Sequence, residues 1–176
     1  MPRSSLSLVV LLAFALVVSA WRTGNPPGQP VKDIACFTLE DSVFVVGAVY
    51  RPDPPILYDY DKATVLPKCL QELDRIADFL VAHPGLTLEV GVHTDTRGSA
   101  QYSVRLDQVR ANQVRGYLSA KGVHSERLSA KGYGASQPRI QAADIDRMPT
   151  AREQEEAHAL NRRTEFKITG TDYIRE

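Results

Sequence analysis

Asp95 and Arg110 are the two residues whose types and spacing say most about chemistry in this chain. Asp95 closely follows a strand-like run, Leu86-Thr87-Leu88-Glu89-Val90-Gly91-Val92-His93, and Arg110 stands mid-way along an amphipathic helical run. Arg110 falls on the apolar stripe of that helix, in register with Leu106, Val114 and Tyr117. A guanidinium facing inward needs an anion, because an unpaired buried charge is strongly unfavourable. An acid at the strand-to-helix crossing can supply it. The same pair can instead hold a zwitterion, with a carboxylate on Arg110 and an ammonium on Asp95. Spacing alone leaves both readings open.

The other reactive side chains argue for blander roles. His93 stands two residues before Asp95, which places two metal-ligand types together, but no second His or Cys lies at ligand spacing. A zinc site needs three or four converging ligands, so no metal is expected and His93 reads as a strand histidine. His83, His124 and His158 are expected to be solvated. Gly132-Tyr133-Gly134 and Gly122 read as turn glycines, since the chain has neither a Gly-x-Gly-x-x-Gly nor a Walker pattern. Asp59 and Asp61 resemble a glycosidase acid pair only superficially, and no serine nucleophile elbow occurs. Arg162 and Arg163, at the start of a final strand, read as surface ion pairs more readily than as an anion patch. No catalytic residue and no cofactor are implied.

Those side chains must be positioned by elements that the rest of the sequence delimits. Residues 1–20 read as a secretory signal: Arg3, an apolar stretch from Leu6 to Val18, and a small-residue site at Val18-Ser19-Ala20. The stretch is shorter than a membrane span needs, although retention as an anchor is the alternative. Residues 21–35 form a Pro/Gly-rich spacer. Residues 36–55, rich in Val and Phe, read as an N-terminal β extension that breaks at Arg51-Pro52-Asp53-Pro54-Pro55. Within it, Val43 to Val46 could form an edge strand that pairs with a second chain.

Residues 56–176 carry the main domain. Ile56 to Asp59 reads as a short strand. Leu66, Cys69, Leu70, Leu73, Ile76, Ala77 and Leu80 make a helical stripe, with Thr64 as cap and His83-Pro84-Gly85 as stop. Leu86 to His93 alternates with the period of a strand. A helix from about Gln101 to Ala120 ends at Gly122. Arg127 to Gly134 is a strand, Ala142 to Glu156 a polar loop with a helical second half, and Asn161 to Thr169 a closing strand. This order predicts an α+β fold of the form βαβαβ(α)β, with a mixed four-stranded sheet and helices on one face.

Composition narrows the partners. The 176 residues hold 21 basic and 21 acidic side chains, for a net charge of zero, so the broad basic field used in nucleic-acid binding is absent. The two cysteines, Cys36 and Cys69, are compatible with a disulfide in an exported chain and equally with packed thiols.

Five segments together resemble one family. They are Leu57-Tyr58-Asp59-Tyr60-Asp61-Lys62-Ala63-Thr64-Val65; Gly91-Val92-His93-Thr94-Asp95-Thr96-Arg97-Gly98; Leu106-Asp107-Gln108-Val109-Arg110-Ala111; Arg127-Leu128-Ser129-Ala130-Lys131-Gly132-Tyr133-Gly134; and Asn161-Arg162-Arg163-Thr164-Glu165-Phe166. In this order they resemble an OmpA-like, peptidoglycan-associating domain over roughly Ile56 to Ile168. The resemblance implies a non-catalytic domain of the periplasm or outer membrane that binds peptidoglycan, with other envelope proteins as further partners. It implies that Asp95 and Arg110 grip the diaminopimelate of the stem peptide. Asp61 and Arg162 would add polar contacts, and Thr94 and Ser103 would help shape the rim. Two positions depart from the family pattern: Ser103 stands where Asn is usual, and Asp107 where Ser is usual. Ser103 removes amide donors, and Asp107 brings a charge that competes for Arg110 from three residues away. The alternatives to wall binding are an envelope interaction module with a structural Asp95–Arg110 pair, and a wall hydrolase.

Overall fold

The computed structural model describes residues 35–174. The expected signal at 1–20 and nearly all of the 21–35 spacer lie outside them. Four strands form one sheet: β1 Val49–Tyr50, β2 Thr87–His93, β3 Leu128–Gly134 and β4 Arg163–Gly170. A 3-10 turn, Pro67–Cys69, leads into α1 at Leu70–Ala82; α2 spans Ala100–Ala120, α3 Ala142–Ile145 and α4 Ala151–Asn161.

The spatial order is β1-β4-β2-β3. β2 and β3 are parallel, which requires the crossover that α2 makes. β4 runs antiparallel to both β2 and β1. The sheet is therefore mixed, and the α+β architecture is as expected from the order of elements.

Alternation on the strands sends Leu88, Val90 and Val92 of β2 and Phe166 and Ile168 of β4 toward the helices. There they meet Leu73, Ile76, Ala77 and Leu80 of α1, and Ala111, Val114 and Leu118 of α2. All twelve are 1% exposed or less, and each large one contributes about 1.5–3 kcal/mol by leaving water. Gly132 has a packing role, not the turn role expected: a Cβ there would run into the backbone of Asp107 and Gln108. Its bare Cα lets α2 lie close on β3, and this close approach fixes the height of Asp107 and Arg110 above the sheet. Gly122, at φ +100°, is the expected helix stop.

Several boundaries differ from expectation. The edge strand is Val49–Tyr50, inside the 36–55 stretch, while the Ile56–Asp59 segment makes only a single bridge, Tyr58 to Val65. Pairing with β4 decides this, because Gly47 and Ala48 also bond to Ile168. Val43, Val45 and Val46 are exposed and form no strand. The 36–47 segment is instead held by aromatic contacts, with Phe37 stacked on Phe79 and Phe44 edge-on to Phe79 and His83. His83 is thus partly packed, and its Nδ1 lies 2.8 Å from the Phe79 carbonyl oxygen. Thr64 caps no helix; α1 follows directly from the 3-10 turn.

No disulfide joins Cys36 to Cys69. Cys36 pairs with Val49 at the sheet edge, where its Sγ accepts a hydrogen bond from Arg51. Cys69 is buried in the core, accepting from the Leu57 amide at 3.3 Å and donating to the Pro55 carbonyl at 3.6 Å. The two thiols serve different parts of the fold.

Candidate functional site

A cavity of about 560 Å³ opens between the 56–61 segment, the loop after β2, α2 and the start of β4. All six residues singled out in the sequence line it: Asp61, Thr94, Asp95, Ser103, Arg110 and Arg162. They come from four parts of the chain, brought together by the crossover geometry of the sheet. Thr94 is fixed by its amide, which donates to the Gly134 carbonyl at 3.1 Å. Asp61 adopts a positive φ of 56° and accepts a 2.7 Å hydrogen bond from the Tyr102 hydroxyl on α2. Ser103 sits in the first turns of α2 on the cavity side.

The central pair is arranged differently from the simplest expectation. Asp95 and Arg110 share the cavity, but neither is the other's ion-pair partner. Asp95 Oδ2 accepts from Arg162 Nη1 at 2.7 Å and from Arg97 Nη2 at 2.7 Å, and Oδ1 accepts from the Arg97 amide at 3.0 Å. Glu155 of α4 closes the network, bonding Arg97 at 3.0 Å and Arg162 at 2.7 Å. The result is a ring of two carboxylates and two guanidiniums. Burial alone would raise the Asp95 carboxyl, but the hydrogen bonds from Arg97 and Arg162 outweigh it and bring it down to about 2. Asp95 is held as a fixed anion.

Arg110 is held separately. Its Nε donates to the Lys62 carbonyl at 2.9 Å, its Nη1 lies 3.4 Å from Asp107 Oδ1, and its guanidinium stands 4.9 Å from the Tyr58 ring centre. The anion it requires is Asp107, the i,i+3 competitor on its own helix. Asp107 is fully buried, and burial pushes its carboxyl up to about 6 against the pull of Arg110. Each ion of the central pair keeps spare capacity. Asp95 Oδ1 accepts one bond where two fit, and Arg110 uses two of its five N–H groups.

His93 lines the back of the cavity, 3% exposed, its ring stacked on Tyr133 at 4.6 Å. Glu165 Oε1 stands 3.2 Å from Nε2 without the alignment of a hydrogen bond. Burial lowers the His93 pKa, so the ring is neutral at pH 7. Both adjacent arginines line the cavity but take different partners: Arg163 pairs with Glu165 at 3.1 Å and Arg162 with Asp95 at 2.7 Å. Among the described residues, no cluster of three or more His, Cys, Asp or Glu side chains could hold a metal ion.

Arg97, Glu155 and Tyr58 were not singled out by sequence reasoning. Arg97 carried one local signal, its position two residues after an acid that can accept its amide. Glu155 carried none, being 58 residues from Arg97.

Comparisons with known proteins bear on the family and the fold. The OmpA family model matches residues 57–152. The chain belongs to the OmpA family. It is 33% identical over 123 residues to outer membrane porin F of Pseudomonas fluorescens, covering 70% of this chain and 35% of that one. It is 34% identical over 115 residues to the peptidoglycan-associated lipoprotein of Legionella pneumophila, covering 65% and 60%. The chain thus spans about a third of the first relative and about 60% of the second. Among solved structures, it resembles the cell wall anchor of the T6SS from Pseudomonas aeruginosa, with 28% identity, a TM-score of 0.53 and coverage of 69% and 79%. The peptidoglycan-associated lipoprotein of Burkholderia pseudomallei gives 27% identity, a TM-score of 0.51 and coverage of 65% and 86%. The mixed sheet with helices on one face is the architecture of these OmpA-like domains.

Proposed function

We propose that this OmpA-family domain tethers the cell envelope to its wall by binding peptidoglycan non-covalently, through the diaminopimelate of the stem peptide. The observation that carries this reading is the placement of Asp95 and Arg110 in one cavity, each immobilised by other groups and each with unused hydrogen-bonding capacity. The free end of diaminopimelate carries an amine and a carboxylate on one carbon. Arg110 takes the carboxylate through its guanidinium edge, and Asp95, kept ionised by Arg97 and Arg162, takes the ammonium. A lysine-containing stem peptide offers only the amine and leaves Arg110 unanswered, which is the basis of discrimination. Asp61, Thr94, Ser103 and Arg162 form the rim.

The setting is the periplasm or the outer membrane, in keeping with the names of the relatives. No helix among the described residues is long and apolar enough to cross a membrane. The role is binding, without bond cleavage. Other envelope proteins are further partners of such a tether.

The test is an NMR titration with two tripeptides, one ending in diaminopimelate and one ending in lysine. Shifts between Thr94 and Arg110 with the first, and much weaker ones with the second, are expected. Equal responses would defeat the diaminopimelate reading, and silence in that region with both would defeat wall binding. Release of soluble muropeptides from purified sacculi would instead establish a hydrolase.

A further inference from the structure

Asp107 lies in the cavity wall beside Arg110, and the proposed binding mode leaves it without a task. It is 0% exposed. Its Oδ1 lies 3.4 Å from Arg110 Nη1, long for a charge-assisted bond, and its Oδ2 has no hydrogen-bond partner among the described residues. A carboxylate out of water with one long contact is poorly stabilised as an ion and well placed to hold a proton.

Among the described residues, no second cation pairs with it. On α2, Arg110 is its neighbour. From the 57–66 segment come the Tyr58 ring, the Lys62 carbonyl on Arg110, and the carboxylates Asp59 and Asp61 in the cavity wall. β3 presents Gly132 and Gly134, whose backbone adds a minor favourable pull. On the β2 side stand neutral His93 and Asp95, the latter tied to Arg97 and Arg162. β4 contributes Thr164, bonded to Tyr58, and Arg163, bonded to Glu165. Among the described residues, Arg110 alone forms an ion pair with Asp107.

A carboxylate arriving at Arg110 therefore meets a position already served by an internal one. Once it binds, Arg110 divides its charge between two acids, and a second negative charge stands beside Asp107. Both effects favour protonation of Asp107. We infer that Asp107 sets the affinity of this cavity by acting as an internal carboxylate on Arg110, and that a ligand carboxylate binds there with uptake of one proton by Asp107. This rests on the reading that Arg110 receives the ligand's carboxylate. Burial already places the Asp107 carboxyl at about 6, within reach of ordinary assay conditions, whereas Asp95 stays ionised throughout.

The experiment is a calorimetric titration of the full chain with a tripeptide ending in diaminopimelate, at about pH 6 and about pH 7.5. Two buffers of different ionisation enthalpy count the protons taken up, and wild type is compared with Asp107→Asn and Asp107→Ser. Wild type is expected to bind about tenfold more tightly at the lower pH, with proton uptake near one at the higher. Both variants are expected to bind at pH 7.5 as tightly as wild type does at pH 6, without pH dependence. Binding by the variants alone, with none by wild type at either pH, would overturn the proton-coupled inference, because Asp107 then closes the site outright. Wild-type binding that is flat in pH, with no proton uptake, overturns the inference and leaves wall binding intact. That measurement needs no variant. Absence of binding by all three proteins at both pH values overturns the proposed function and the inference with it.

Discussion

Replacing Asp107 by Asn should change the pH dependence of folding stability by an amount that follows from the burial of this carboxyl. In the folded chain the group titrates at about 6, against an ordinary 3.8. A gap of about two units opposes the folded state by about 3 kcal/mol once the pH is well above 6. The sign follows from which state holds the proton. The unfolded chain releases it near pH 4 and the folded chain only near 6, so folding is favoured at low pH and loses that advantage as pH rises between them. Asn carries no charge and has no such dependence. Its amide leaves an N–H group where Oδ2 lacks a partner, a cost of about 1–3 kcal/mol that is constant with pH. The difference in unfolding free energy, variant minus wild type, should therefore rise by about 2 kcal/mol between about pH 4.5 and 7. Asp95 and Glu165, both held below the usual carboxylate range by neighbouring arginines, weaken the fold at low pH in both proteins and cancel. Urea denaturation followed by far-ultraviolet circular dichroism measures the quantity. A difference that stays constant over that range would refute the assignment of Asp107 as a buried, weakly paired acid.

Three further outcomes are expected. Arg110→Lys keeps the charge but loses the planar fork, and should weaken binding of the diaminopimelate tripeptide at least about tenfold by calorimetry, with the folded state retained by circular dichroism. Gly132→Ala forces α2 away from β3 because the new methyl meets the Gln108 backbone, so urea denaturation should show a loss of about 3 kcal/mol or more. Arg127→Met removes the guanidinium donor from the carbonyls of Leu80, His83 and Leu86, of which His83 keeps the Leu86 amide, and should cost about 3 kcal/mol by the same assay.

The sequence made the sheet and both long helices legible because their patterns are periodic and their stops are explicit. Leu86 to His93 alternates cleanly, and α2 was placed to within a residue of its observed Ala100–Ala120 span. The edge strand was misplaced because two residues carry almost no period, and pairing with β4 decides the matter from the far end of the chain. The second half of the 142–156 segment proved helical from Thr150, whose capping box with Glu153 is a local signal. The six cavity residues could be named from motifs. The local partner of Arg110 is also legible, since Asp107 stands three residues away on the same helix, but Glu155 is not, because its contact with Arg97 spans 58 residues and obeys no periodicity. Asp95 and Arg110 do not pair with each other for a different, local reason. Each has a nearer partner, Arg97 two residues from Asp95 and Asp107 three residues from Arg110, and short loops close at little entropic cost.

Sedimentation with purified diaminopimelate-type sacculi, for wild type and Asp95→Ala side by side, puts the cavity itself on trial. Wild type should pellet with the wall while the variant, shown to be folded by circular dichroism, remains in the supernatant. If the folded variant pellets as fully as wild type, the cavity that Asp95 shares with Arg110 is not where this domain holds peptidoglycan.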